Sequence, residues 1–506
     1  MEENTFLKTI EKELNYTLTE NGAVAHKSSL IGVYDLFSFG GAYRNRTDEE
    51  CKDLFLRAWD EDPELATKCL FYLRDIRGGQ GERRFFRICF QYLAKIDTKR
   101  AIRNISNIPE YGRYDDLFCL INTPAEIPMF NFIRKQLEVD MKSLKAGENY
   151  GVSLLGKWLK SENASSLETI AIANRTRLFL GMTHVQYRKM LSALRKRINI
   201  VERLMSENRW EEIEFEKLPS KAGFIYANAF AHKDMIAEKY KRFIEDQDTK
   251  VNAKTLYPYE IVEEAMEATC SNSAIINKYW ENLPDYINGA NSKTLCVVDT
   301  SASMLYSRAI NSRCRPIHVA ISLGMYCAEK LEGAFKNYYI TFSSVPQLIR
   351  IEGINFVDKV RRIKSRMIND NTDLIKVFKL LRSVYMNKKV REEDMPERII
   401  VISDMEIDGE NNYSIGLANN GKNKDEIYTE MEEERKYWEQ EGLTMPKLVY
   451  WNVNATDNIM LEDASRPGIS FVSGFSPVLF EGILQGKSGW DLCYDKLMSE
   501  RYSKVK

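Results

Sequence analysis

From the N-terminus to about residue 290, apolar positions recur mostly at helical spacing, and alternating or β-branched runs are scarce. The stretch "CKDLFLRAWDEDPELATKCLFYLRDIRGGQGERRFFRICFQYLAKI", from Cys51, predicts one helix, a turn at Pro63, a second helix ending at "GGQG", and a third from Glu82. Paired short helices over such a length suggest an α-solenoid of the HEAT or armadillo kind, although no clean fixed period is present. After about residue 290 the pattern changes. Apolar runs rich in β-branched residues ("TLCVVD", "YYITFSS", "RIIVISD", "KLVYWNVNA", "GISFVSG") alternate with helical segments such as "PIHVAISLGMYCAEKLEG" and "TDLIKVFKLLRSVY". In the latter, Leu374, Phe378, Leu381 and Tyr385 share a face. This alternation predicts βαβ units and a mostly parallel, doubly wound, Rossmann-like sheet. The expected organisation is an all-α repeat half, residues 1–290, followed by an α/β domain, residues 291–506. A chain of 506 residues is in any case too long for one ordinary core.

Composition narrows the setting. With 72 basic and 73 acidic side chains the formal net charge is -1, so any nucleic-acid surface must be a local patch. The nine cysteines are scattered, mostly in apolar runs, and form no CxxC pair; they are expected to be reduced core residues of a cytosolic protein. The N-terminus "MEENTFLKTIEKEL" lacks the features of a signal peptide, and no apolar run approaches the ~20 residues that span a bilayer. The expectation is a cytoplasmic chain with no membrane contact.

The strand run "TLCVVDTSASM", Thr294 to Met304, ends in an acid followed by small hydroxyl residues, a D-x-S-x-S pattern of Asp299, Ser301 and Ser303. A second acid, Asp404, ends the later run "IIVIS", and Thr372 opens a helical segment in "NDNTDL". Ligands of doubly wound sheets sit at the carboxyl ends of the strands. A hard cation, Mg2+ or Mn2+, takes oxygen ligands and keeps some of its waters, so Asp299, Ser301, Ser303, Thr372 and Asp404 could build one cation site. Each element has a plainer reading: a serine or threonine after a strand is an ordinary cap, and Thr372 with Asp373 suits a helix N-terminus.

The helical half carries two basic stretches. "RDIRGGQGERR" places Arg74, Arg77, Arg83 and Arg84 around a glycine-rich turn. "RTRLFLGMTHVQYRKMLSALRKRINIVERLM" carries Arg175, Arg177, Arg188, Lys189, Arg195, Lys196 and Arg197, with an apolar stripe of Tyr187, Met190, Leu191, Leu194, Ile198 and Val201. Such a row can neutralise phosphates without reading sequence, and a solvated basic face is the competing interpretation. The glycine turn follows a helix and lacks the G-K-[ST] ending of a P-loop. His184 and His232 have no evident nucleophile or metal-ligand partner, so no catalytic set can be assembled and a non-enzymatic protein is expected.

Taken in order, D-x-S-x-S, T-D and S-D resemble the metal-ion-dependent adhesion site of von Willebrand factor A domains over residues 291 to 506. That resemblance implies a Mg2+ (or Mn2+) held through the hydroxyls of Ser301, Ser303 and Thr372, with Asp299 and Asp404 acting largely through water and an acidic protein partner completing the shell. The order of a helical half and a C-terminal A domain is similar to the TROVE-module proteins typified by the Ro autoantigen. "RDIRGGQGERR", "YRKMLSALRK", "WEEIEFEKLPSKAGFIYANAF" and "NTDLIKVF" with "ISDMEID" are more closely similar to an uncharacterised family of bacteria, phages, plants and large viruses. What the resemblance implies is a helical-repeat RNA-binding protein for structured or misfolded small RNA. The alternative expectation is a metal-dependent protein-interaction scaffold or adaptor without RNA.

Overall fold

A computed structural model describes residues 5–147, 151–198, 200–268, 272–290, 292–306, 314–342, 345–366, 373–387, 390–408 and 428–506. By internal contacts the chain forms two compact units, one of residues 1–69 and 256–499 and the other of residues 70–255 and 500–506. This division differs from the boundary expected at residue 290, because the first 69 residues pack with the sheet that follows them by more than 200 positions.

The first unit is built on a six-stranded sheet. A short hairpin of β1 (Tyr16–Leu18) and β2 (Val24–His26) precedes it. The sheet strands are β3 (Thr294–Asp299), β4 (Tyr338–Phe342), β5 (Gln347–Arg350), β6 (Arg398–Ser403), β7 (Lys447–Asn452) and β8 (Ile469–Ser473). Their order is β5-β4-β3-β6-β7-β8, parallel throughout except that β5 runs antiparallel to β4. All six residues of β3 and of β6 are buried, which is why both read as unbroken apolar runs: helices cover both faces of a parallel sheet. The helix Pro316–Lys330 shows the same logic, with twelve of its fifteen residues buried.

The outer edge of β8 explains why the N-terminal segment belongs here. Unpaired backbone groups of an edge strand need partners. The Tyr34 hydroxyl, on the helix Gly32–Phe39, accepts from Phe471 N (2.8 Å) and donates to Phe471 O (3.2 Å). Ser38 Oγ donates to the same carbonyl (3.0 Å), and Ser473 Oγ accepts from Gly41 N (3.1 Å). A helix from the start of the chain thus closes the edge of a sheet completed near its end.

The second unit is helical, its larger helices being Arg83–Ile96, Glu126–Ala146, Leu167–Phe179 and His184–Ile198. The predicted helix–turn–helix run is observed as Asp48–Glu61, Pro63–Arg74 and Arg83–Ile96, with Pro63 at the first position of the second helix. Phe71, Phe86, Phe90 and Tyr111 form an aromatic core with ring centroids 5.1–5.7 Å apart. The eight described cysteines are free, and all but the half-buried Cys119 are buried; Cys270 lies outside the described residues. No helix among the described residues is long and apolar enough to cross a membrane.

Candidate metal centre and basic surface

Strand order reverses between β3 and β6: the chain leaves β3 for β4 on one side and later returns to β6 on the other. At such a switch point the loops beyond the two carboxyl ends diverge and leave a crevice. Asp299 is the last residue of β3 and Asp404 follows the last residue of β6. The register, Val298 opposite Ile402, brings Asp299 alongside Ser403.

Both acids are buried, Asp299 fully and Asp404 at 2% exposure. Asp299 Oδ1 accepts from Ser301 N (2.9 Å), and Oδ2 accepts from Ser403 Oγ (2.6 Å). The Ser301 and Ser303 hydroxyls are 3.1 Å apart, and Ser303 in turn hydrogen-bonds Asp404. Asp404 Oδ1 also accepts from Glu406 N at 3.2 Å. The D-x-S-x-S turn and the acid of the second strand therefore form one connected polar cluster. Burial, and then the charge of Asp404, push the Asp299 carboxyl up to about 7; burial raises Asp404 as well. Two neighbouring buried carboxylates with convergent hydroxyls require a proton or a cation between them, and the all-oxygen donor set fits a hard divalent ion. Among the described residues, no group of three or more His, Cys, Asp or Glu is placed to hold a metal, so any ion here depends on the hydroxyls. Thr372 lies outside the described residues; its neighbour Asp373 caps the helix Leu374–Tyr385 by accepting from Lys376 N at 3.0 Å.

Three features of the site were not legible in the pattern of residues. Ser403 braces Asp299 and also accepts from Met405 N (2.9 Å). Met405 has φ 67, in the left-handed region that non-glycine residues seldom occupy, so the loop after β6 carries backbone strain beside Asp404. The turn of the N-terminal hairpin straps that loop: Thr19 Oγ1 donates to Ile407 O (2.8 Å), Glu406 Oε2 accepts from Glu20 N (2.7 Å), and Asn21 Nδ2 donates to Glu406 O (3.0 Å).

The basic residues divide into committed and exposed groups. Arg74 is a correction to the expected nucleic-acid surface: it is 1% exposed and donates twice to Asp116 Oδ2 (2.8 and 2.6 Å), a buried ion pair inside the fold. Arg195 is a second, since its guanidinium donates to Gly156 O (3.0 Å), Leu159 O (2.9 Å) and Ser161 Oγ (2.9 Å) and ties two segments together. Arg177 is largely buried against Glu162 at 2.8 Å, and Arg175 pairs with Glu126 through Nε and Nη2. Arg84 and Arg197 are half-buried, whereas Arg77 and Arg83 are exposed at the glycine turn. On the helix His184–Ile198, Arg188, Lys189 and Lys196 are exposed opposite the buried Tyr187, Met190, Leu191 and Leu194. His184 hydrogen-bonds Glu162 at 2.8 Å, and His232 hydrogen-bonds Asn228 O at 2.8 Å.

The glycine turn itself is a clamp on the chain's last residues. Asp75, fully buried, accepts from Arg501 Nε, from Arg501 Nη2 (2.6 Å) and from Tyr502 Oη (3.0 Å). A Cβ on Gly79 would lie 1.9 Å from Tyr72 O, so only glycine fits there.

Residues 19–121 and 160–294 match the model of a domain of unknown function (DUF2828), and residues 293–501 match that of another, DUF7788. The two matches meet at 293–294, beside the change of pattern in the sequence, whereas the first compact unit crosses that point. The uncharacterized protein L728 of Acanthamoeba polyphaga mimivirus is 27% identical over 521 residues, covering 94% of this chain and 85% of that protein. The crystal structure of the Deinococcus radiodurans Ro (RSR) protein aligns with a TM-score of 0.35 at 12% identity, over 81% of this chain and 92% of that one. The chain is thus similar along nearly its whole length to that viral protein.

Proposed function

We propose that the chain is a non-catalytic binding protein whose α/β unit holds a Mg2+ or Mn2+ ion of the von Willebrand factor A kind and uses it to capture an acidic group on a partner. The observation that carries this reading is the convergence of Asp299 and Asp404 with the Ser301 and Ser303 hydroxyls at the β3–β6 switch point. When bound, the ion supplies a Lewis-acidic point with room for an outside oxygen, because hydroxyls donate less charge than carboxylates. Asp299 and Asp404 supply the negative field, Ser301 and Ser303 the oxygens, and Ser403 fixes the rotation of the Asp299 carboxyl. The test is a calorimetric magnesium titration of the intact chain. Saturable binding that disappears in Asp299→Ala, with the unfolding midpoint retained, supports the reading; equal binding by both proteins removes it.

A second reading, favoured by the exposed cations of the helix His184–Ile198, is RNA binding in the Ro-like manner. Arg188, Ser192 and Lys196 follow at four-residue intervals and share a face, with Lys189 beside them. Because Arg195 is structural, the informative variant replaces Arg188, Lys189 and Lys196 with Glu and spares it. Gel shifts with structured small RNA should show a large loss of affinity, and the slope of log affinity against log salt should flatten by about one unit per lost contact. Unchanged affinity across the salt series would remove this helix as an RNA-binding surface.

A further inference from the structure

A polar cavity of about 440 Å³ lies elsewhere in the first unit, within the size range of small-molecule sites. Its walls come from the helix Thr5–Leu14, the hairpin residues Tyr16 and His26, the turn Ser28–Leu30, the helix Glu430–Gln440 with Tyr428 before it, and the loop 463–466. Among the described residues one donor in it is unmet: Arg466 Nη1 is buried and has no hydrogen-bond partner there. A guanidinium presents five donors and no acceptor, and on the half-buried Arg466 a buried N–H without an acceptor marks a place for one on a ligand.

The two half-buried or buried acids of the wall do not fill that role, because they are engaged elsewhere. Glu432 accepts from His26 Nε2 (3.1 Å), Thr429 N (3.0 Å) and Asp463 N (3.1 Å). Asp463 accepts from Lys12 Nζ (3.1 Å) and from Ser465 N (2.8 Å) and Oγ (2.6 Å). Burial alone would push both carboxyls up, yet these bonds hold each below its usual range. Glu13, the remaining acid, is exposed. Aromatic faces lie on the same wall: Tyr16 packs on His26 with centroids 4.8 Å apart, and Lys436 places its ammonium 2.9 Å from the centre of the Tyr428 ring. The turn is fixed in advance, since Asn15 Nδ2 donates to Ser28 O (2.8 Å), Ser28 Oγ donates to Asn15 Oδ1 (3.0 Å), and Leu30 is held at φ 63.

We propose that this cavity binds a phosphate monoester bearing a planar ring, the chemistry of a nucleoside monophosphate. Arg466, with Lys436, takes the phosphate, a geometry suited to guanidinium recognition of phosphate oxygens. Tyr16 and Tyr428 face the ring. The site shares no residue with the cation cluster at β3 and β6.

The experiment is calorimetric titration of the full chain, in EDTA, with the four nucleoside monophosphates, inorganic phosphate and adenosine. EDTA keeps the outcome separate from the cation reading. The expected result is saturable binding of at least one monophosphate, with adenosine weaker by tenfold or more. Arg466→Gln should weaken that binding at least tenfold at an unchanged unfolding midpoint. Lys436→Gln should weaken it several-fold, and decides the matter if Arg466→Gln fails to fold. Absence of saturable monophosphate binding at millimolar concentration, or binding that neither variant changes, would overturn the proposal.

Discussion

Replacing Asp75 with Asn should release the C-terminal tail. The Asp75 carboxylate is fully buried and accepts four hydrogen bonds, from Arg77 N (2.9 Å), from two nitrogens of Arg501 and from Tyr502 Oη. The tail is secured further by Tyr111 Oη donating to Arg501 O, Asn107 Nδ2 to Lys504 O (3.0 Å), and Lys506 N to Asn104 Oδ1 (3.0 Å). An asparagine keeps the shape but turns an NH2 group toward the Arg501 donors. Breaking one side of a buried ion pair costs ~3–5 kcal/mol. The Arg501 side chain is 34% exposed, so water recovers part of its charge and the lower end applies, about 3 kcal/mol. At 1.4 kcal/mol per tenfold that is roughly a hundredfold increase in local opening. The assay is hydrogen exchange of the intact chain, read on the amides of residues 75–81 and 500–506, because it reads local opening at the clamp directly. Arg501→Gln should expose the same amides, and the double variant should do little more than either alone. Protection within threefold of the wild type in Asp75→Asn, or strictly additive effects, would refute the clamp.

Gly79→Ala should loosen the same two segments without altering any charge, because its Cβ would collide with Tyr72 O; wild-type exchange in that variant would contradict the fit of the turn. Asp35, buried and accepting from Ser29 N (2.7 Å) and Oγ (2.6 Å), has its carboxyl raised to about 6 by burial. The folded state therefore holds this proton more tightly than the unfolded one. Its contribution to stability is full below about pH 4 and is lost as the pH rises through about 6. Denaturation midpoints of wild type and Asp35→Asn should then diverge in favour of the variant between pH 4 and 7, and parallel curves would contradict the assignment.

The strands β3, β4, β6, β7 and β8 were legible because a parallel strand covered on both faces must be apolar along its length. β5 was not: an antiparallel edge strand reading "QLIR", with one buried residue, has no such constraint. Asp299, Ser301, Ser303 and Asp404 could be assembled from sequence because strand ends in a doubly wound sheet converge by topology. Ser403 reaches Asp299 across 104 residues, and the strap from Thr19 to Asn21 reaches the 406–407 loop across 385 to 388, contacts of which a local pattern carries no trace. The basic stretches failed for a related reason. Arg74 and Arg188 look alike in sequence, but only the fold brings Asp116 to Arg74 and leaves Arg188 in solvent.

The central claim, a divalent cation held at the β3–β6 switch point, is tested most directly by locating the ion. Crystals of the full chain grown with manganese should show an anomalous difference peak in coordination contact with the Ser301 and Ser303 hydroxyls, on the side faced by Asp299 and Asp404, and no such peak in Asp299→Ala. A clear map without density there, or a manganese peak on other residues at full occupancy, would contradict the account.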